Sequence, residues 1–282
     1  GAGGCKPSRS DILQGDYPDR RTQRRQGDDS LVGIKSHRDR CGGHGMVGGT
    51  MKLNTIYNED CLEGMKRIPD ESVDLVVTDP PYKTIGGGDS NSRYVTDVIL
   101  NRKNIINGKL FNHNDTSFST WIPDVYRVLK DATHFYVMVN DKNMHELMDA
   151  CVASGFQLVN ILIWKKNNVT PNKFYMKNCE FILLYRKGGQ RWINDMGTKH
   201  LLEIDNIRNK KHPTEKPIEL MEIFILNSSK TGDIVLDPFV GAGSTALASK
   251  KNDRQYIGFE LDEDYYNVAQ NRIKNHEQQT RP

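Results

Sequence analysis

A doubly wound α/β fold, a mostly parallel sheet flanked by helices, is what this sequence predicts from Met51 onward. Three observations lead there. Short runs of Val, Ile, Leu and aromatic residues alternate with longer segments of helical periodicity. One of the runs, Val73-Asp74-Leu75-Val76-Val77-Thr78, is apolar enough for a buried strand and ends directly in Asp79-Pro80-Pro81-Tyr82. Another leads through Leu236-Asp237-Pro238-Phe239-Val240-Gly241-Ala242-Gly243 into a helix that opens on Ser244 and Thr245. A strand, a glycine turn and a helix in that order bring backbone amides close to a ligand.

Taken in order, strands are expected at 73–78, 134–139, 157–164, 180–185, 233–236 and 255–259. Helices are expected at 118–130, 142–153, 217–229, 244–250 and 263–274. Two stretches interrupt the rhythm. Residues 83–114 are rich in Gly, Asn and Ser and poorly periodic, and residues 167–211 mix one strand with basic loops. Long loops without structure of their own are usually functional or disordered.

At 282 residues, with 37% hydrophobic and 27% charged side chains, the chain can bury one large α/β core. The net charge of +3 is uneven: residues 1–50 hold nine Lys and Arg against six Asp and no Glu, so the body from Met51 is neutral. That first segment carries 11 of the 24 glycines and no apolar periodicity. It reads as a disordered leader or an added extension, because such composition cannot offset its ordering entropy. Its Arg cluster also suits a nucleic-acid arm, a reading weakened by the interspersed Asp residues. Met51 reads as the natural start. The five cysteines form no Cys-x-x-Cys pair, which argues for reduced thiols, a cytoplasmic setting and no metal site. No apolar run approaches the ~18 residues that span a bilayer, and the N-terminus lacks a signal-peptide core.

The tetrapeptide is the most informative motif. An acid, two prolines and an aromatic ring at the end of a buried strand make a rigid, half-polar pocket suited to a planar amine. Taken alone, it is also a common way to end a strand, with Asp capping and Tyr covering an edge. The glycine turn is likewise weak alone. It gains weight because Gln255-Tyr256-Ile257-Gly258-Phe259-Glu260 forms a second strand ending in an acid, 17 residues beyond Gly243, where ribose hydroxyls are bound in nucleotide-binding α/β halves. The turn lacks the third glycine of an NAD site and the lysine of a P-loop, so neither phosphate reading fits.

Asp79-Pro80-Pro81-Tyr82, the 237–243 turn and His212-Pro213-Thr214-Glu215-Lys216-Pro217 together resemble the S-adenosylmethionine-dependent DNA amino-methyltransferases. With the tetrapeptide first and the turn near the C-terminus, the order is that of their beta class. The resemblance covers about residues 52–275 and implies a Rossmann-like methyltransferase domain at 51–282. Within it lie a catalytic half at 51–166, a target-recognition insert at about 167–211 and a cofactor-binding half at 212–275.

Carried over residue by residue, the resemblance implies Asp79, Pro80, Pro81 and Tyr82 as the catalytic set. Asp237, Phe239, Gly241 and Gly243 would shape the pocket for the methionine part of the cofactor. Ser244 and Thr245 would help hold its carboxylate, and Glu260 the ribose hydroxyls. Asp60 would meet the cofactor's adenine amine, though it also suits an N-cap. His212, Thr214 and Lys216 match the segment that closes the methionine end, where Asp79 also borders the cofactor. Aspartate at position 79 looks like the adenine-N6 members, since the cytosine-N4 members usually show serine there.

DNA is the implied partner. Between 160 and 217, twelve Lys and Arg face five Asp and Glu, and Lys165, Lys166, Lys173, Lys177 and Lys210 are candidate phosphate contacts, with Asn168 able to read base edges. Lys83 and Arg93 place a further basic loop beside the catalytic strand. The resemblance allows a homodimer and a cognate restriction endonuclease as partners, and a bacterial or phage source. Other readings stay open: cytosine-N4 methylation, methylation of RNA or a protein amide, and a non-catalytic nucleic-acid-binding module.

Overall fold

The structure, a computed structural model, describes residues 51–81, 116–170, 174–207 and 215–280. The expected leader at 1–50 and the 83–114 loop lie outside the described residues, as do Tyr82, Lys83, Arg93, Lys173, Lys210, His212 and Thr214.

The described strands are β1 (Thr55–Tyr57), β2 (Val73–Thr78), β3 (Leu129–Val139), β4 (Gln157–Thr170), β5 (Lys177–Lys187), β6 (Leu201–Glu203), β7 (Ile234–Asp237) and β8 (Gln255–Phe259). They form one sheet in the order β1-β8-β7-β2-β3-β5-β4-β6. The helices are α1 (Cys61–Met65), α2 (Phe118–Val128), α3 (Met144–Ala153), α4 (Ile218–Ser228), α5 (Ser244–Lys251) and α6 (Glu263–Thr280).

Helices α1, α2 and α3 cover one face. Phe118, Trp121, Ile122, Val125 and Val128 recur at helical spacing along α2, and all are buried in one cluster with Val73, Val76 and Phe135. On the other face, Leu220, Met221, Phe224 and Ile225 of α4 pack over Leu75, Val77, Tyr136 and Val235. A smaller cluster joins Ala246 of α5 and Ala269 and Ile273 of α6 to Ile56 and Tyr256. Burial on both faces explains why β2 reads as a continuous apolar run rather than an alternating one.

The sheet is parallel apart from β5, which runs antiparallel to both β3 and β4. Sequence expectation put strands at 157–164 and 180–185, the second inside the insert at about 167–211. In the structure β4 and β5 are long, and β5 fills the sheet position between β3 and β4. The strands β1 and β6 had no firm sequence signal, because each is three residues long, whereas α1 follows the N-cap that Asp60 suits. The entry to β3 was also missed. Polar Lys130 and Asp131 precede Ala132 at φ 54°, and the β2–β3 register shifts there, so the apolar pattern begins only at His134.

Adjacent parallel strands β2 and β7 are where the chain's path divides, toward β3 on one side and toward β8 and β1 on the other. In open α/β sheets the crevice beyond the carboxyl ends at such a point is the ligand site.

Candidate active site

The register brings four acids to that edge. Tyr57 pairs with Phe259, Asp237 with Gly258, and Val76 with Leu236. The carboxyl ends of β1, β8, β7 and β2 are therefore level; β7 ends on Asp237, and the turns beyond β1, β8 and β2 carry Asp60, Glu260 and Asp79.

Asp237 stitches the two central strands together. Its Oδ1 accepts from Thr78 Oγ1 at 2.7 Å and from the Phe239 amide at 3.1 Å. It is almost fully buried, and desolvation pushes its pKa up to about 6. The turn it anchors is shaped by Gly241 at φ 53° and Gly243 at φ 80°. Gly243 is the N-cap of α5, and a Cβ there would stand 2.9 Å from that of Ala269, so only glycine fits both the conformation and the space. Phe239 sets its ring edge-on to Trp121 at 5.1 Å.

Glu260 closes the turn from the β8 side. One carboxylate oxygen accepts from the Gly241 amide at 2.7 Å and the other from the Asp262 amide at 2.9 Å. Burial raises its pKa above the ordinary carboxyl value. Asp60 is the N-cap of α1, accepting from the Leu62 amide at 2.9 Å. The cap bond uses Oδ1, the capping role that the sequence also suits.

Ser244 and Thr245 are buried, and their hydroxyls turn inward. Ser244 Oγ donates to the Lys216 carbonyl at 2.8 Å, while Thr245 Oγ1 lies 3.7 Å from Met221 Sδ and also bonds Asp237. The pair ties α5 to the 215–217 segment and to β7. Arg272 of α6, which sequence reasoning passed over, completes this strut. It pairs with Glu215 at 3.0 Å and donates to the Ala242 carbonyl at 2.5 Å. An arginine among the polar residues of a long C-terminal helix carries no signal of such a role.

At the end of β2, Asp79 is only partly exposed and Pro80 is buried. Lys216 Nζ lies 2.5 Å from Asp79 Oδ2 and 3.4 Å from Glu180 Oε2, and Lys166 Nζ lies 3.0 Å from Glu180 Oε1. Burial works against the Lys216 ammonium, but Asp79 and Glu180 outweigh it and hold its pKa above the ordinary lysine value. Glu180 is a second residue that sequence reasoning passed over, counted there only as one acid within a basic stretch.

The described DNA-contact candidates are engaged with neighbours. Lys165 pairs with Glu203 across β4 and β6, and Lys177 with Asp141 at 2.6 Å. Asn168 Oδ1 accepts from Asn206 at 2.9 Å. Lys166, with its side chain only 12% exposed, is turned toward Glu180. The charge count over 160–217 could not foresee this, since Asp141 lies outside that window and strand pairing chooses the partners. Among the described residues no helix is long and apolar enough to cross a membrane.

Geometry and donor chemistry fit S-adenosylmethionine. A turn without side chains at Gly241 and Gly243 admits a close ligand, and the carboxylates at the ends of β1 and β8 are acceptors for an amine and for hydroxyls. Known proteins place the chain independently. The fold is similar to that of M1.HpyAVI in complex with SAM, at 26% identity and a TM-score of 0.58, covering 77% of this chain and 98% of that one. It is also similar to the cytosine-N4-specific PvuII DNA methyltransferase, with a TM-score of 0.59 at 21% identity over 79% and 87% of the two chains, a likeness of fold alone. In sequence, the type II methyltransferase M2.DpnII of Streptococcus pneumoniae is 28% identical over 261 residues, 80% of this chain and 95% of that protein. The type II methyltransferase M.HinfI of Haemophilus influenzae is 30% identical over 253 residues, 79% of this chain and 68% of that protein. The DNA methylase family model matches residues 73–271, which span the tetrapeptide, the glycine turn and Glu260, and the chain belongs to that family.

Proposed function

We propose that this protein methylates DNA, transferring the methyl group of S-adenosylmethionine to the N6 amine of an adenine rotated out of the helix. The observation that carries the reading is the placement of Asp79 at the carboxyl end of β2, next to the strand that opens into the glycine turn.

An exocyclic amine is a poor nucleophile because its lone pair is delocalised into the ring. The site therefore has to favour the pyramidal nitrogen that forms in the transition state, by acceptors aimed at both N–H groups. The Asp79 carboxylate supplies one acceptor and the Pro80 carbonyl, between two rigid prolines, the other. Tyr82 would stack on the extracted base and replace its lost neighbours. When bound, S-adenosylmethionine supplies an electrophilic methyl group on a sulfonium. Glu260, Asp60 and the Gly241–Gly243 turn would orient it, so that the transfer depends on alignment more than on a strong base. The amine proton becomes acidic as the N–C bond forms and leaves toward Asp79.

Adenine is favoured because position 79 is aspartate, where the cytosine-N4 members usually carry serine. Contact with phosphates would fall to Lys165 and Lys177, which must exchange Glu203 and Asp141 for DNA, together with Lys83, Arg93, Lys173 and Lys210. A homodimer and a cognate endonuclease belong to the same reading. Tritiated S-adenosylmethionine offered with duplex DNA, single-stranded DNA, RNA and protein tests it: label should enter DNA as N6-methyladenine and be lost with Asp79→Ala. Label in another acceptor, or in DNA regardless of that substitution, refutes it.

A further inference from the structure

Four charged side chains from four different parts of the fold stand in a row with alternating sign. Lys166 comes from β4, Glu180 from β5, Lys216 from the segment before α4, and Asp79 from the end of β2. The separations along the row are 3.0, 3.4 and 2.5 Å. The two lysine side chains are 12% and 9% exposed, so this is not a surface arrangement. Withdrawing the two ammonium groups and Asp79, 17% exposed, from water is costly, Glu180 at 31% less so, and hydrophobic residues of similar volume commonly give equal or better stability. Stability is thus a weak reason for the row to exist.

Its geometry is that of a support. Lysine is a flexible chain, and a single partner would leave its ammonium free to follow Asp79 wherever that carboxylate turned. Here the backbone of Lys216 is held by Ser244, the preceding Glu215 is held by Arg272, and the ammonium is drawn from its far side by Glu180. Glu180 is in turn held by Lys166 and by its place in the interior of the sheet between β3 and β4. The antiparallel β5 is therefore what brings a second carboxylate to within reach of the β2 end.

We propose that Glu180 is a positioning residue of the methyl-acceptor site: by fixing the Lys216 ammonium against Asp79 Oδ2 it holds the Asp79 carboxylate in the orientation that receives the amine. Glu180 touches neither base nor cofactor in this role and acts through Lys216. The inference rests on Asp79 being the acceptor-site acid, as in the reading above.

The test uses the full chain, with kcat, KM and S-adenosylmethionine affinity measured for wild type, Glu180→Gln and Glu180→Asp. Glu180→Gln keeps the shape and removes the charge, and should lower kcat about tenfold or more while cofactor affinity by calorimetry stays within about twofold. Glu180→Asp retracts the carboxylate by one methylene and should give an intermediate kcat, which also keeps the test open if the Gln variant folds poorly.

The pH profile separates positioning from a merely structural role. The charged groups around Asp79 among the described residues include Lys216, with Glu180 and Lys166 behind it, and Asp237 on the β7 side. Neutralising Glu180 takes a negative charge away from the neighbourhood of Lys216 and Asp79, so the acid limb of kcat should move to lower pH. Lys216→Met removes the cation and should move the same limb to higher pH. Shifts in opposite directions are expected, and a kcat for both Glu180 variants within twofold of wild type, with an unmoved acid limb, overturns the proposal. Wild-type transfer to DNA and its loss in Asp79→Ala are read in the same assay. If those fail, the functional reading itself is wrong; if they hold and the Glu180 variants behave as wild type, only the positioning role is.

Discussion

Replacing Asp237 by Asn should stabilise the protein at neutral pH and leave it nearly unchanged in mild acid. Asp237 Oδ1 accepts from Thr78 and from the Phe239 amide and Thr245 also bonds the carboxylate; an asparagine oxygen can accept the first two, and its NH2 can donate to the Thr245 hydroxyl oxygen. What Asn removes is a charge in a desolvated place. Burial raises the carboxyl from an ordinary 3.8 to about 6, so between those values the folded state holds a proton that the unfolded chain has released. Stability therefore falls as pH rises through this window, and the loss is complete somewhat above pH 6. At about 1.4 kcal/mol per pH unit, the interval between the two values amounts to about 3 kcal/mol. Urea unfolding of wild type and Asp237→Asn at half-unit steps from pH 4 to 8 measures it directly. The advantage of Asn should be near zero at pH 4 and grow to about 3 kcal/mol by pH 8. A difference that does not change with pH, or an Asn variant that is the less stable at pH 8, would refute the account of a strained buried charge.

Other changes test the parts around it. Gly243→Ala forces a Cβ onto a residue at φ 80° that sits 2.9 Å from the Ala269 Cβ, and should cost about 1–3 kcal/mol in urea unfolding as well as weakening cofactor binding. Arg272→Met removes the ion pair to the buried Glu215 carboxylate and should cost about 3 kcal/mol, visible as a lowered melting temperature. Glu260→Gln should weaken S-adenosylmethionine binding about tenfold by calorimetry, since a neutral amide is a poorer acceptor for ribose hydroxyls. The double substitution Lys165→Ala and Lys177→Ala should reduce the slope of log affinity against log salt for duplex DNA by about 2, one for each phosphate contact, and an unchanged slope assigns both lysines to their acids alone.

Much of this molecule is legible before folding, and the parts that are not share a cause. β2 and β8 emerge with their exact bounds because they are apolar runs closed by Asp79-Pro80 and by Glu260. The glycine turn is legible because φ 53° and φ 80° select glycine at fixed positions. The Asp79–Lys216–Glu180–Lys166 row is not, since its members are brought together by sheet order rather than spacing. The same blindness made the lysines of β4 and β5 look like a free basic surface. Charge counts along a sequence do not see strand neighbours, and Asp141, Glu180 and Glu203 all reach their lysines across the fold. The inward turn of the Ser244 and Thr245 hydroxyls is equally invisible in the sequence, where a helix start gives no sign that both side chains are buried.

The reversed strand β5 also governs how the molecule can assemble. β3 and β4 are synthesised before the strand that must lie between them, so β3 can pair with β2 but its other edge, and that of β4, must wait until residue 177 and beyond has emerged. Until then β3 presents an unpaired edge carrying Phe135, Val137 and Val139, all destined for burial. The other flank waits longer still, because β2 pairs with a strand that begins at Ile234. Such non-local pairings fold slowly. The active-site edge, built where β2 meets β7, is completed only when nearly the whole chain is available.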